Sequence, residues 1–245
     1  NYKDPECIKK FINNVDLVTY EFENIPYETL NQINLQKKVY PKPEVNKIIQ
    51  NRLSEKNFIN DLGIKTTKYK FIENKTDIEQ NEDLIPGLLK TCTLGYDGKG
   101  QLKINSIIDL KNSKIDFNKN FILEKFIDLK KEISVISTRF DKNSYEIYEP
   151  IENIHQEQIL RKSKIPADIK NELKELSKKW TISIAEKLDY IGTLCVEFFI
   201  DKKDNIYVNE IASRVHNSGH LTINSHNISQ FENHVRAVCS MEKIP

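Results

Sequence analysis

Glycine is scarce in this chain, with 7 in 245 residues, and tryptophan and methionine occur once each. Cysteine is too sparse and too scattered for a disulfide framework or a zinc cage. Cys7, Cys92, Cys195 and Cys239 stand far apart with no Cys-x-x-Cys pair, so they read as reduced, mostly packed thiols. No apolar run approaches the roughly 20 residues that cross a bilayer. The opening Asn-Tyr-Lys-Asp-Pro has neither the basic start nor the apolar core of a signal peptide. Charge of one sign is lacking too: Lys+Arg 37 against Asp+Glu 36 leave +1, without the basic footprint of a nucleic-acid or membrane-surface binder. These absences lead us to expect a cytoplasmic protein with no nucleic-acid and no membrane partner. The apolar fraction of 38% and mean hydropathy of −0.56 still allow a real core, and the length exceeds a typical single domain.

The pattern begins as helix (6 to 13), apolar strand (15 to 20), helix (26 to 33) and strand (38 to 40), an alternation that suggests parallel βα units. It starts on a helix with no strand before it, so we expect a truncated doubly wound domain. Pro41 and Pro43 read as a linker, followed by a helix from Arg52 to Asp61 that Gly63 stops. Strands at 69 to 72, 88 to 92, 101 to 104 and 121 to 126, with a helix near 76 to 81, suggest a small α+β lobe. Strands then dominate from 132 to 161. Pro166 is expected to open a helix from 168 to 188, whose apolar residues Ile169, Leu173, Leu176, Trp180, Ile184 and Leu188 form one core stripe. A hairpin at 191 to 210, a polar loop at 213 to 220 and a helix near 230 to 239 complete the chain.

Three of the seven glycines, Gly95, Gly98 and Gly100, fall within the short run Gly-Tyr-Asp-Gly-Lys-Gly-Gln. Glycines let backbone amides wrap phosphate oxygens, and Lys99 adds a point charge. A tight hairpin between strands 88–92 and 101–104 is the alternative, and neither a Walker loop nor a dinucleotide fingerprint fits the spacing. Lys90, on the preceding strand beside Leu88 and Leu89, reaches the same phosphates or snorkels at the surface.

Glu197 and Glu210 carry the strongest local argument. If Lys203 and Asp204 form a two-residue turn, the two carboxylates lie directly opposite on one face, about 4.5–5.5 Å apart at Cβ. Val196, Phe198 and Phe199 desolvate them, so they repel unless a cation lies between. With the amide of Asn209 they suit Mg²⁺ bridging nucleotide phosphates; a solvated hairpin face is the other reading. In the polar loop that follows, Arg214 can grip an oxyanion through two parallel hydrogen bonds, and His216, Asn217 and Ser218 add donors. His216 and His220 are four apart, as a zinc pair on a helix would be, but Gly219 and the polar run argue against a helix there. His226 and His234 read as surface or packed residues.

Together these segments resemble the PurK family, the N(5)-carboxyaminoimidazole ribonucleotide synthetases, which are ATP-grasp ligases. The matching pieces are Val18-Thr-Tyr-Glu-Phe-Glu-Asn-Ile-Pro26, Gly95-Tyr-Asp-Gly-Lys-Gly-Gln101, Asn209-Glu-Ile-Ala-Ser-Arg-Val-His-Asn-Ser-Gly-His220 and Ser229-Gln-Phe-Glu232. The resemblance implies an α/β (α+β) ATP-grasp fold with the remnant of an N-terminal Rossmann-like domain. On that division 1–50 is the remnant, 51–126 the small lobe with its glycine-rich lid, and 127–245 the central domain. It implies ATP and Mg²⁺ as cofactors, bicarbonate and 5-aminoimidazole ribonucleotide as substrates, and a homodimer. ATP would phosphorylate bicarbonate to carboxyphosphate, whose carboxyl group passes to the substrate amine. By matching positions, Arg52, Lys90 and the loop Gly95, Tyr96, Asp97, Gly98, Lys99, Gly100 and Gln101 would meet phosphates. Glu124, Lys125, Phe126 and Ile127 would form the hinge around adenine, Glu132 would bind ribose hydroxyls, and His155 would lie in the nucleotide site. Glu197 and Glu210 would hold magnesium beside Asn209. Arg214 and His216 would orient bicarbonate, with Lys99 in a catalytic role, while Tyr96, Asp97, Lys99, Asn217 and Ser218 would meet the ribonucleotide.

Leu94 stands where the family commonly has glycine and Ser213 where it has proline. The resemblance further implies a strand and glycine turn ahead of Asn1, and a basic segment beyond Pro245 for the substrate phosphate. A formate-dependent ATP-grasp ligase and a nucleotide-binding module without turnover are the competing functions.

Overall fold

The computed structural model describes residues 1–94, 100–113, 115–157 and 159–244. Asp4 opens the first helix, α1 (Pro5–Ile12), its side chain accepting the N–H groups of Glu6 and Cys7. Strand β1 (Leu17–Thr19), helix α2 (Tyr27–Asn34) and strand β2 (Lys38–Tyr40) follow, and β1 and β2 pair in parallel, Val18 opposite Val39. Ile8, Ile12, Val18, Leu30, Ile33 and Val39 close over this pair as a small core.

The expected linker at Pro41 and Pro43 is instead a helix, α3 (Pro43–Ile49). Proline at the first helical position loses only an N–H that has no intrahelical partner, and Val45 is buried against the main core. Helix α4 (Arg52–Asp61) begins at Asn51, which caps Leu53 and Ser54, and ends at Gly63 with φ +69°.

The small lobe runs β3 (Tyr69–Ile72), α5 (Lys75–Glu79), a 3₁₀ turn (Glu82–Leu84), β4 (Gly87–Thr91), β5 (Gln101–Ile104), α6 (Ile107–Asn112) and β6 (Phe121–Lys125). Its antiparallel sheet has the order β3-β6-β4-β5. Helix α6 is not among the expected elements; Ser106 and Asp109 start it with a reciprocal capping box in a segment too short to show helical periodicity.

The central domain contains β7 (Leu129–Arg139), β8 (Tyr145–Ile147), β9 (Ile151–Gln156), β10 (Ile159–Lys164), α7 (Asn171–Lys187), β11 (Gly192–Asp201), β12 (Ile206–Ala212), α8 (Thr222–Ser225) and α9 (Gln230–Val238). Its sheet has the order β10-β9-β7-β11-β12, with β8 also on β7. Helix α7 starts at Asn171, three residues later than expected. Residues 167 and 168 are tied to the sheet instead, Ala167 N–H donating to Pro150 O and Asp168 N–H to Glu152.

Alternation across this sheet decides where the chemistry sits. Ile133, Val135, Val196, Phe198, Ile200 and Val208 face the main core, with α7 packed over them through Leu173 and Ile184. Glu132 and Ser134 on β7, Asn153 and His155 on β9, and Glu197 on β11 alternate to the opposite face. That polar face looks toward the small lobe.

Candidate active site

Between the lobes lies a cleft of about 1220 Å³, lined by Arg52, Lys90, Glu124, Glu197, Asn209, Glu210, Arg214 and His216 among others. Glu197 and Glu210 pair directly across β11 and β12, as expected, but by another route. The turn has three residues, 202 to 204, with Asp204 at φ 60° and Asp201 N–H donating to Asn205 O. Pairs nearest the turn, such as Ile200 with Ile206, are therefore shifted by one residue, and a bulge between Glu197 and Phe198 restores the register. The extra residue lies on β12, so Asn209 and Glu210 together oppose Glu197. Asn209 Nδ2 donates to Glu197 at 3.4 Å.

The two carboxylates have cations of their own. Arg52 lies 3.3 Å from Glu210, and His216 Nε2 lies 3.1 Å from Glu197 Oε1. Burial alone would raise the pKa of Glu210, but Arg52, with Lys90 behind it, outweighs that and holds it below the ordinary range. Charge repulsion between the pair thus does not by itself call for a metal. The donor set does fit one: two hard carboxylates and an amide, open to a cleft with cations for phosphates.

Helix α4 supplies much of this charge from its buried stripe at 52, 55, 56 and 59. Glu55 is 3% exposed and Lys56 1%. Burial and the nearby Glu210 push the Glu55 carboxyl up to about 8, against the Ile211 N–H that donates to it at 2.6 Å. Lys56 Nζ donates to Thr66, Thr67 and the carbonyl of Asn209, and lies 3.6 Å from Glu124. Lys90 donates to the other oxygen of Glu124 at 3.1 Å. Burial opposes charge on Glu124, yet Lys56 and Lys90 bring it down to about 2.

Arg214 Nε donates to Glu23 at 3.0 Å, and Glu23 comes from the loop after β1. The N-terminal unit therefore contributes to the cleft wall. Burial raises the pKa of Glu23, partly offset by Arg214. Burial also works against charge on His216; Cys195 and Glu197 outweigh it, so the ring holds its proton tightly.

Of the expected adenine hinge, the backbone N–H groups of Lys125 and Phe126 are already used, donating to Lys68 O and Pro86 O. The Phe126 ring is exposed under Lys103 Nζ, and Ile127 also lines the cleft. Glu124 points away from that hinge into the lysine pair. Glu132 contacts His155 Nδ1 at 2.8 Å and raises its pKa. Asn217 is exposed in the cleft, whereas Ser218 is fully buried with its hydroxyl against Ser134 and His216. Residues 217 to 221 form a 3₁₀ turn where a loop was expected, because the His216 side chain caps it by accepting Ser218 N–H. His220 packs on Phe231, apart from His216. Gly95, Tyr96, Asp97, Gly98 and Lys99 lie outside the described residues. Gly100 and Gln101 close the β4–β5 hairpin, Thr91 N–H donating to Gly100 O and Gln101 pairing with Lys90.

Sequence reasoning missed Glu23, Glu55, Lys56, Ser134 and Asn153. The first lies inside the motif 18–26. The helical stripe at 52, 55, 56 and 59, with three charged residues on its buried face, was a legible signal for the next two. Nothing in the sequence marks the last two.

Residues 57–231 match the ATP-grasp domain family, and residues 1–50 match the ribonucleotide synthetase preATP-grasp domain family. The N5-carboxyaminoimidazole ribonucleotide synthase of Brucella melitensis is 36% identical over 98% of this chain, and that of Bacillus subtilis 35% over 98%. The chain spans 68% and 64% of those two relatives. The N5-carboxyaminoimidazole synthetase of Staphylococcus aureus, solved in complex with ADP, superimposes with a TM-score of 0.92 at 35% identity, covering 100% of this chain and 66% of that one. The cleft geometry and these matches agree: the chain belongs to the N5-carboxyaminoimidazole ribonucleotide synthase family of ATP-grasp proteins.

Proposed function

We propose that this chain uses Mg-ATP to carboxylate 5-aminoimidazole ribonucleotide with bicarbonate, giving N(5)-carboxyaminoimidazole ribonucleotide, ADP and phosphate. The observation that carries the proposal is the opposed pair Glu197 and Glu210, flanked in one cleft by Arg52 and Lys90 on one side and by Arg214 and His216 on the other. Such an arrangement suits phosphoryl transfer, where the protein mainly positions groups and neutralises charge.

In this reading Glu197, Glu210 and Asn209 hold Mg²⁺, which when bound neutralises phosphate charge. Arg52 and Lys90 meet the phosphates. The segment 124–127 borders adenine, and Glu132 with His155 borders the ribose. Arg214 and His216 orient bicarbonate while its oxygen takes the γ-phosphoryl group and ADP leaves. The amine then attacks the carboxyl carbon of carboxyphosphate, losing a proton as phosphate departs. Tyr96, Asp97, Lys99 and Asn217 meet the ribonucleotide, and the loop at 95–101 acts as a lid that keeps water from carboxyphosphate. The same reading makes the working unit a cytoplasmic homodimer, which sedimentation of the chain tests for its oligomeric part.

Bicarbonate and 5-aminoimidazole ribonucleotide together are expected to stimulate ADP release from Mg-ATP. Stimulation by formate in place of bicarbonate would move the chain to a formate-dependent ligase. Mg-ATP binding without any stimulated ADP release would make it a nucleotide-binding module.

A further inference from the structure

Strand β12 is the outer strand of its sheet, and the backbone groups along its free edge need partners. At Val208 the segment 65–66 supplies them, Lys65 O accepting the Val208 N–H at 2.8 Å and Thr66 Oγ1 donating to Val208 O at 2.9 Å. Past that point the segment leaves for the small lobe as β3, and two side chains of α4 take over. Lys56 Nζ donates to Asn209 O at 3.3 Å, and Glu55 Oε1 accepts the Ile211 N–H at 2.6 Å.

These contacts hold the two peptide groups that flank the Glu210 α-carbon. Each peptide group is a rigid plane, so holding both fixes φ and ψ of Glu210 and, with them, the direction of its Cα–Cβ bond. The ladder to β11 cannot do this alone. Two residues of β12 oppose Glu197 there, and a bulge interrupts the inter-strand bonds. Arg52, one turn back on α4, holds the carboxylate itself, with Nη1 3.3 Å from Oε2. Residues 52, 55 and 56 share one helix face through their three- and four-residue spacing. One element therefore grips the backbone on both sides of Glu210 and the tip of its side chain. Capping a single N–H with a carboxyl group that is 3% exposed is costly. A leucine would fill similar space but leave the Ile211 N–H bare.

We propose that Glu55 is a positioning residue: by holding the Ile211 N–H, together with Lys56 on the Asn209 carbonyl, it aims the Glu210 carboxylate at the divalent-cation position. The cation rests on the function proposed above; the grip on the backbone does not.

Calorimetric titration of ADP in EDTA and at a series of Mg²⁺ concentrations gives the Mg²⁺ affinity of the ADP complex without any turnover. Glu55→Gln keeps an oxygen for the Ile211 N–H, and its Mg²⁺ affinity should lie within about twofold of the parent value. Glu55→Leu removes the acceptor and should weaken Mg²⁺ about tenfold, the effect of about one hydrogen bond, with ADP affinity in EDTA within about twofold. Amide exchange at Ile211 should quicken in Glu55→Leu and stay at the parent rate in Glu55→Gln. Equal Mg²⁺ affinity in the parent and Glu55→Leu, or an equal loss in both variants, overturns the proposal. Glu55→Asp, one methylene shorter, takes the place of Glu55→Leu if that variant does not fold, with the same expectation. Parent ADP affinity that ignores Mg²⁺ would sink the magnesium reading of the proposed function, and this proposal with it.

Discussion

One carboxylate oxygen of Glu210 lies 3.3 Å from Arg52, while 41% of the side chain remains exposed toward the cleft. Glu210→Gln keeps the shape and one acceptor but removes the charge that a divalent ion and Arg52 would share. Stimulated ADP release should fall at least about 100-fold, in line with losing one preorganised electrostatic group, while the thermal melt stays cooperative. Near-normal turnover would remove the basis for the magnesium assignment. Two positions near the ends of β4 and β5, 94 and 100, make a different demand. Leu94 has φ 60° and Gly100 φ +75°, backbone that glycine adopts without penalty. A Cβ on Gly100 would also meet Thr91 Oγ1 at 2.6 Å. Gly100→Ala should therefore cost about 1–2 kcal/mol in chemical unfolding, and an unchanged midpoint would show that the β4–β5 hairpin has another way to close.

At the level of elements, α4 seats Ile59 in the main core and reaches the small lobe through charge. Lys56 touches Asn209 O on β12 and lies beside Glu124 on β6, while Thr66 Oγ1 donates to Val208 O and Val208 N–H to Lys65 O. Burial lowers the Lys56 pKa, and Glu124 works against that shift. Lys56→Met leaves Glu124 buried with Lys90 and the Thr67 hydroxyl. Breaking one partner out of a buried cluster costs about 3 kcal/mol, so the urea midpoint should drop accordingly, and a midpoint at the parent value would refute the pinning role. This element also marks the limit of what sequence discloses. Its end followed from Gly63, but its buried charges contradict the usual apolar stripe and become sensible only once β6 and β12 are in place. The β11–β12 pairing was legible for a related reason: a turn and a bulge, each worth one residue, cancel at Glu197 and Glu210. Helices α3 and α6 were lost because Pro43 also fits a linker and six residues carry too little periodicity.

On the scale of the whole molecule, the resemblance gave the family from motifs dispersed along the chain, but not how the N-terminal unit is attached to the rest. Glu23 reaching Arg214 is one tie, Lys42 paired with Asp189 and Val45 seated in the main core are others, and His234 is a further one. Its Nε2 lies 2.8 Å from Thr19 Oγ1 on β1, and its Nδ1 accepts the Thr193 N–H on β11 at 3.0 Å. Gly192 must be glycine there, since a Cβ would lie 3.0 Å from the ring and its φ is +109°. Burial alone lowers the His234 pKa from about 6.5 to about 4. The unfolded chain therefore binds a proton at a higher pH than the folded one, and stability rises with pH between those two values. It is fully present above about 6.5, is lost progressively as pH falls toward 4, and changes no further from this group below that. The full effect is about 3 kcal/mol. Unfolding followed from pH 7 to pH 4 should show this slope, and His234→Gln, though less stable at pH 7, should show a slope shallower by that amount. Parallel pH profiles for the two proteins would place the acid sensitivity elsewhere and leave His234 a neutral strut between β1 and β11.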